Sequence, residues 1–281
     1  MRRFRVLPAV TCIYIAWSLL PVLLAIRFAF NEGRSRTSAQ GWSLRWFWTD
    51  PTLSVRHDPT LWSALQHSLV LAGLAMLIAT PLGTALALGL QRWRGPGSGT
   101  ANVVMLLPLV TPELVFAVGM FLLFTSAFSF VGLGTPAQVI GHVTFSVSWV
   151  VLIVRGRLVT IGPDVEEAAA DLGAPPREVL RRVLLPLLMP AIAAGFLVVF
   201  ALSIDDFVVA QYLSSGSDTT TVPMRIYSSA RNAPTPALNA LATVMLVVTL
   251  LALLFAWLVF RRFARRGGAS ALDQLTAGAG A

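Results

Sequence analysis

The chain has 281 residues, of which 56% are hydrophobic and only 12% charged, with a mean hydropathy of +0.74. A soluble domain carries about 25% charged residues, so this is a membrane composition. All 21 basic residues behind the net charge of +8 are arginine, and the absence of lysine excludes a Walker A lysine, a Schiff-base lysine and a Ser–Lys dyad within the chain. The arginines are spread over short segments between apolar runs, which argues against a nucleic-acid partner. Cys12 is the single cysteine and lies in an apolar run, leaving no disulfide framework or cysteine metal cluster. His57, His67 and His142 are scattered without metal-ligand spacing, and no glycine-rich phosphate loop or catalytic triad stands out. The chain is therefore expected not to be an enzyme, and any ATP must be spent by another subunit.

In chain order, Val6 to Ile26 is an apolar run of 21 residues. That is longer than a signal-peptide core and has no A-x-A-like site after it, so it reads as a first membrane span, 6–26. Arg27 to His67 is a polar loop carrying Trp42, Trp46, Trp48 and Trp62. The tryptophans read as an aromatic belt on the membrane surface, with a docking face for a soluble partner as the alternative. The second span is 68–90, in which Pro81 and Gly83 predict a kink. From Gly95 to Val154 there is one carboxylate, Glu113, and one histidine, His142. That stretch is too long for one span, and the Gly132, Gly134 and Pro136 cluster marks a turn between spans 103–125 and 137–154. His142 reads as a satisfied polar group at a helix start. A charged loop, 155–186, precedes span 187–212, which carries Asp205 and Asp206. A polar loop with a short helix near Met224 to Arg231 leads to span 237–260, and an arginine-rich end passes into a small-residue tail, 267–281, expected to be disordered. The whole is an all-α membrane protein of six transmembrane helices in a single domain, 1–266. With the N-terminus inside, cytoplasmic segments hold 14 arginines and external ones 7, so both termini and the 155–186 loop are expected in the cytoplasm.

Within that loop, Asp164 can cap a helix whose Glu167 reaches back as in a capping box. Ala168, Ala169 and Ala170 continue it with strong helix formers of little bulk. Gly173 then stops it, and Pro175 and Pro176 open a second helix. Leu180, Val183 and Leu184 lie on one side of that helix, with Arg177, Arg181 and Arg182 around the other. A helical hairpin with a smooth alanine face suits docking against another protein.

The spacing carries a resemblance. Glu167-Ala168-Ala169, three residues, Gly173, nine residues, Val183, one residue, then Leu185-Pro186 resembles the signature loop of ABC-importer permease subunits, with Val183 where isoleucine is usual. In order along the chain, FAFN at 28–31, SLRWF at 43–47, QHS at 66–68, Pro112-Glu113, SIDDFV at 203–208, PMRIYS at 223–228 and PALNALAT at 236–243 resemble the second permease of spermidine/putrescine-type importers. The resemblance implies a type I importer permease fold in the bacterial cytoplasmic (inner) membrane. It implies a coupling loop (Glu167, Ala168, Ala169, Gly173, Val183, Leu185, Pro186) that docks an ATPase dimer, with ATP and Mg held by that dimer and no cofactor on this chain. A second homologous permease and a periplasmic or lipid-anchored solute-binding protein complete the implied assembly, and polyamines are the implied solute.

Carboxylates within spans are functional candidates by default, at about 2.5–3.5 kcal/mol each at a helix centre. Glu113, Asp205 and Asp206 are candidates for a cation pathway or gate, the alternative being acids that satisfy backbone or arginine groups at kinks near Pro108 and Pro112. At about 1.5 Å per residue, Glu113 is expected near the membrane midplane and Asp205 towards the outer face. Importers of another small solute, a secondary transporter without an ATPase, and a membrane scaffold are the remaining readings. No second copy of the signature loop is found in the first half, which disfavours the repeats a secondary transporter would carry.

Overall fold

The computed structural model describes residues 6–35, 38–232, 235–255 and 258. The tail at 267–281, the end of the last expected span and the arginines at both chain ends lie outside the described residues. The described residues are helical and contain no strands. Five helices are long and apolar enough to cross a membrane, and a bent helix pair makes up to six. Two compact units are present: one holds the start of the chain to His67 with Thr220–Val248, the other Ser68–Thr219 with the chain from Thr249.

The first unit begins with α1, Val6–Ala29, apolar all round and enclosed nowhere along its apolar window. The loop after it is not merely a surface belt. Trp46 is fully buried and its Nε1 donates to the Asn31 carbonyl at 2.5 Å. Buried Asn31 in turn accepts from the Gln40 backbone N–H at 2.7 Å, so the loop has a small polar and aromatic core of its own. The belt expectation fails for Trp46, while Trp42, Trp48 and Trp62 remain exposed. Backbone N–H groups of Leu53 and Thr52, with the Arg45 guanidinium, hold the Asp50 carboxyl well below the usual carboxylate range. In the same unit α10, Val222–Asn232, is tied back through Arg225, which donates to the Thr60 hydroxyl.

α2, Pro59–Arg92, runs unbroken through Pro81. Gly83 serves packing: a Cβ there would lie 2.6 Å from the Val150 Cβ, so only hydrogen permits this approach. α3, Ser98–Val110, and α4, Glu113–Leu122, replace the single expected span 103–125. They meet at 108°. The cause is local: Pro112 forces Thr111 out of the helical region, and both are extended with ψ of 129° and 132°. α4 ends in a widened π turn, Leu123–Ala127.

α5, Thr135–Ile161, continues past the expected end at Val154 and is the most enclosed of the long helices. Its valines at 143, 147, 150, 151 and 154 form the centre of the second unit's core with Ala75, Ala79, Leu184 and Leu188. Gly162, with φ +74°, ends it. α6, Asp164–Asp171, and α7, Pro176–Glu178, form the hairpin. A widened turn, Val179–Leu184, joins α7 to α8, Leu185–Asp205. It sits just before Pro186, whose ring removes a hydrogen bond to the preceding turn. The expected span 187–212 is itself broken: α8 stops at Asp205, Asp206 is extended, and α9 restarts at Val208–Leu213.

Candidate functional site

The two helix breaks bring the three candidate acids together. Glu113 is the first residue of α4, exposed at the surface of its unit, where a carboxylate suits the positive end of the helix. Asp206 lies in the extended link between α8 and α9, its side chain 11% exposed. Asp206 Oδ1 accepts the Ala210 backbone N–H at 2.8 Å, which satisfies a donor at the start of α9. Glu113 lies close enough to Asp206 and Asp205 for the three charges to act on one another. The depth difference expected between Glu113 and the aspartates is therefore absent. It came from counting residues along straight helices, and neither helix is straight.

His142 is the partner that sequence reading missed. It sits two turns inside α5 rather than at a helix start, and its side chain is 2% exposed. Its Nδ1 meets the Ser203 hydroxyl at 2.7 Å, and its Nε2 stands 3.4 Å from Asp206 Oδ1 without hydrogen-bond geometry. One signal could have found it: an ionisable residue in an apolar run calls for a partner in another run, and the aspartates were available. Gln138, four residues earlier on α5, is also fully buried and donates to the carbonyls of Ala210 and Thr219, both at 2.9 Å. Together these bonds fix α9 against α5. Asp205 is different. It closes α8, is exposed, and lies close enough to act on Glu113 by charge.

The hairpin residues form a second, separate cluster. Asp164 does not cap α6: Pro163 holds that position, and Asp164, Glu166 and Glu167 all lie in the first turn without a side-chain cap. The stop is as expected in kind. Gly173, with φ +82°, donates its N–H to Ala170 O at 2.8 Å, and Ala174 N–H reaches Ala169 O at 3.1 Å, the pair of bonds of a Schellman motif. Glu167, Ala168 and Ala170 are exposed, Ala169 is half-buried, and Leu172 at the tip is 90% exposed. Val183 and Leu185 are half-buried and Pro186 is exposed. An Arg92–Glu166 ion pair ties the end of α2 to α6. Beside it lies a cleft of about 640 Å³ bordered by Arg94, Pro163 and Glu167.

Both clusters fall inside residues 79–266, which match the family described as binding-protein-dependent transport system inner membrane component. The chain belongs to this family. It is an inner-membrane permease subunit of an ABC importer, with the importer permease fold. The putrescine transport system permease protein PotI of Escherichia coli (strain K12) is 35% identical over 249 residues, 86% of either chain. The spermidine/putrescine transport system permease protein PotC of the same strain is 34% identical over 251 residues, covering 89% of this chain and 92% of its own. A solved structure of a bacterial ABC transporter involved in the import of the acidic polysaccharide alginate aligns with a TM-score of 0.72 at 20% identity, over 93% of this chain and 96% of that one. At that identity the likeness is one of fold.

Proposed function

We propose that this permease subunit carries polyamines, spermidine or putrescine, inward in an ATP-driven complex. The observation that carries the substrate is the acid cluster: Glu113, Asp205 and Asp206 converge where two apolar helices break. Such a site complements a flexible chain of ammonium groups. The names of the two Escherichia coli relatives point the same way.

The complex we infer contains this chain, a second homologous permease, an ATPase dimer that binds ATP and Mg, and a solute-binding protein outside. The arginine distribution supports cytoplasmic termini and a cytoplasmic hairpin. Glu167, Ala168, Ala169, Gly173, Val183, Leu185 and Pro186 belong to the coupling element in this reading. Exposed Ala168 and Val165 on α6, with Leu172 just after it, supply an apolar stripe for the ATPase surface. ATPase closure would move the hairpin, and through α8 the break at Asp206. The acids would then face alternate sides. The test is ATP-dependent uptake of labelled putrescine and spermidine in vesicles holding the complex and its binding protein. Uptake of either polyamine is expected, and a complex that hydrolyses ATP without moving either would refute the substrate.

A further inference from the structure

A groove of about 260 Å³ lies between α3 and α5, away from the acid cluster and at the hairpin end of α5. That end is the cytoplasmic one in the reading above. Met105 and Leu106 line the groove from α3, Val151 and Leu152 from α5. Gly156 lines it too, and a Cβ there would meet nothing within 4 Å, so the slot is open down to the α5 backbone.

Arg155 borders this apolar slot. Its Nη1 donates to Asn102 Oδ1 at 2.5 Å and its Nε to Gln91 Oε1 at 3.4 Å. Asn102 is itself held, because its Nδ2 donates to the Ser98 carbonyl at 2.8 Å. Both acceptors of the guanidinium are neutral, and among the described residues no carboxylate pairs with it. An arginine stays charged at any ordinary pH, so this charge is positioned but not neutralised. A second positive feature adjoins it. α3 starts one turn before Asn102, with Gly97 at its N-cap, no side-chain cap and no acidic residue in its first turn. The positive end of the helix is left to attract an anion. The cleft beside Arg92 and Arg94 is not equivalent, since Glu166 pairs with Arg92 and Glu167 borders it.

We propose that the α3/α5 groove binds an anionic phospholipid, its phosphate on Arg155 beside the start of α3 and an acyl chain along the apolar walls. A ligand for this place must join a hydrocarbon chain to a negative head, since either part alone leaves the other half of the site unfilled. The guanidinium fork matches two phosphate oxygens at once, and basic pockets between membrane helices on the cytoplasmic side take anionic headgroups. Both walls belong to helices apolar enough to cross a membrane, so lipid is the molecule at hand. A zwitterionic lipid carries the same phosphate, but its own ammonium offsets the attraction. The site is independent of the solute that the complex carries.

The test is lipid retained by the purified importer complex in detergent, read by native mass spectrometry after incubation with phosphatidylglycerol or phosphatidylcholine. The wild type is expected to retain phosphatidylglycerol about fivefold better, the factor for one arginine near a membrane surface. Arg155→Gln should lower its retention to that of phosphatidylcholine, and Arg155→Lys should keep most of the preference. Gly156→Leu places a good helix former in open space and fills the slot, so phosphatidylglycerol retention should fall with Arg155 intact. Glycerol phosphate, a head without chains, should not displace the lipid at equal concentration. Absence of a preference in wild type, or a preference unchanged in Arg155→Gln or in Gly156→Leu, would overturn the proposal. Displacement by glycerol phosphate would make the site a phosphate seat, and loss of the second permease from Gly156→Leu with lipid retention unchanged would make the groove a protein interface. Either result also overturns it. Should one variant fail to fold, the other decides, because one removes the charge and the other the space.

Discussion

The α6–α7 hairpin and the α4/α9 cluster both depend on carboxylates, and they use them in opposite ways. In the hairpin, Asp164, Glu166 and Glu167 crowd one helical turn and face water, with Arg92 as a partly exposed counter-ion. Each contributes little, because solvent screens it and the helix end tolerates it. In the cluster, Asp206 has a backbone N–H, a histidine and a second carboxyl as its surroundings. Removing one partner there leaves a charge without water to replace it. The hairpin is a surface that can be edited, while the buried side of the cluster, at Asp206 and His142, has no water to take a lost partner's place.

The largest effect that would break this contrast is expected at His142. His142→Leu keeps comparable bulk but removes the bond to Ser203 and the polar ring beside Asp206. It should cost up to about 3 kcal/mol, the cost of leaving the buried Ser203 hydroxyl without its ring partner, seen as a lower midpoint of thermal unfolding in detergent. A midpoint unchanged from wild type would mean that Asp206 is as well solvated as the hairpin acids. Next is Gly141, where a Cβ would lie 2.6 Å from Leu213 Cδ1 and 2.9 Å from Val209 Cγ1, both on buried residues of α9. Gly141→Leu should cost about 1–3 kcal/mol by overpacking and displace α9, so uptake should fall further than the midpoint alone accounts for. Equal losses in both would separate α9 from the transport path.

On the hairpin side the effects shrink. Gly173→Val places a β-branched residue at φ +82°, a strain of about 1–2 kcal/mol. The hairpin should exchange amide hydrogens faster while the core of α5 stays protected, and faster exchange across both would contradict the division. Smallest is Glu166→Gln, which loses a half-exposed ion pair worth about 0–1 kcal/mol. Its effect should vanish at high salt, whereas that of His142→Leu should not.

Much of the fold was legible because a span is a property of local composition. Six apolar runs, the glycine stop at Gly173 and the prolines at 175 and 176 each act within a turn or two of sequence. The breaks were half legible: Thr111-Pro112 carries a physical reason to leave the helix, and the expected span ran through it only because the apolar run is continuous. The approach of Glu113 to Asp206, and of His142 to Asp206, joins residues far apart in sequence, and no local preference encodes it. Trp46 was misplaced for the same reason, since nothing in a tryptophan-rich loop tells a core indole from a surface one. Gln138 lies in a run otherwise read as apolar, and only the carbonyls of α9 and the following loop give it a role.

The most direct test of the contrast measures two quantities on one set of purified complexes: ATPase subunit retained on this chain, and apparent KM for putrescine uptake. Leu172→Asp, at the exposed hairpin tip, should lose the ATPase subunit, while Glu113→Gln should retain it with a KM changed at least several-fold. If both variants lose the ATPase subunit equally, or if Leu172→Asp alters KM with the subunit fully bound, the assignment of coupling to the hairpin and solute to the cluster is wrong.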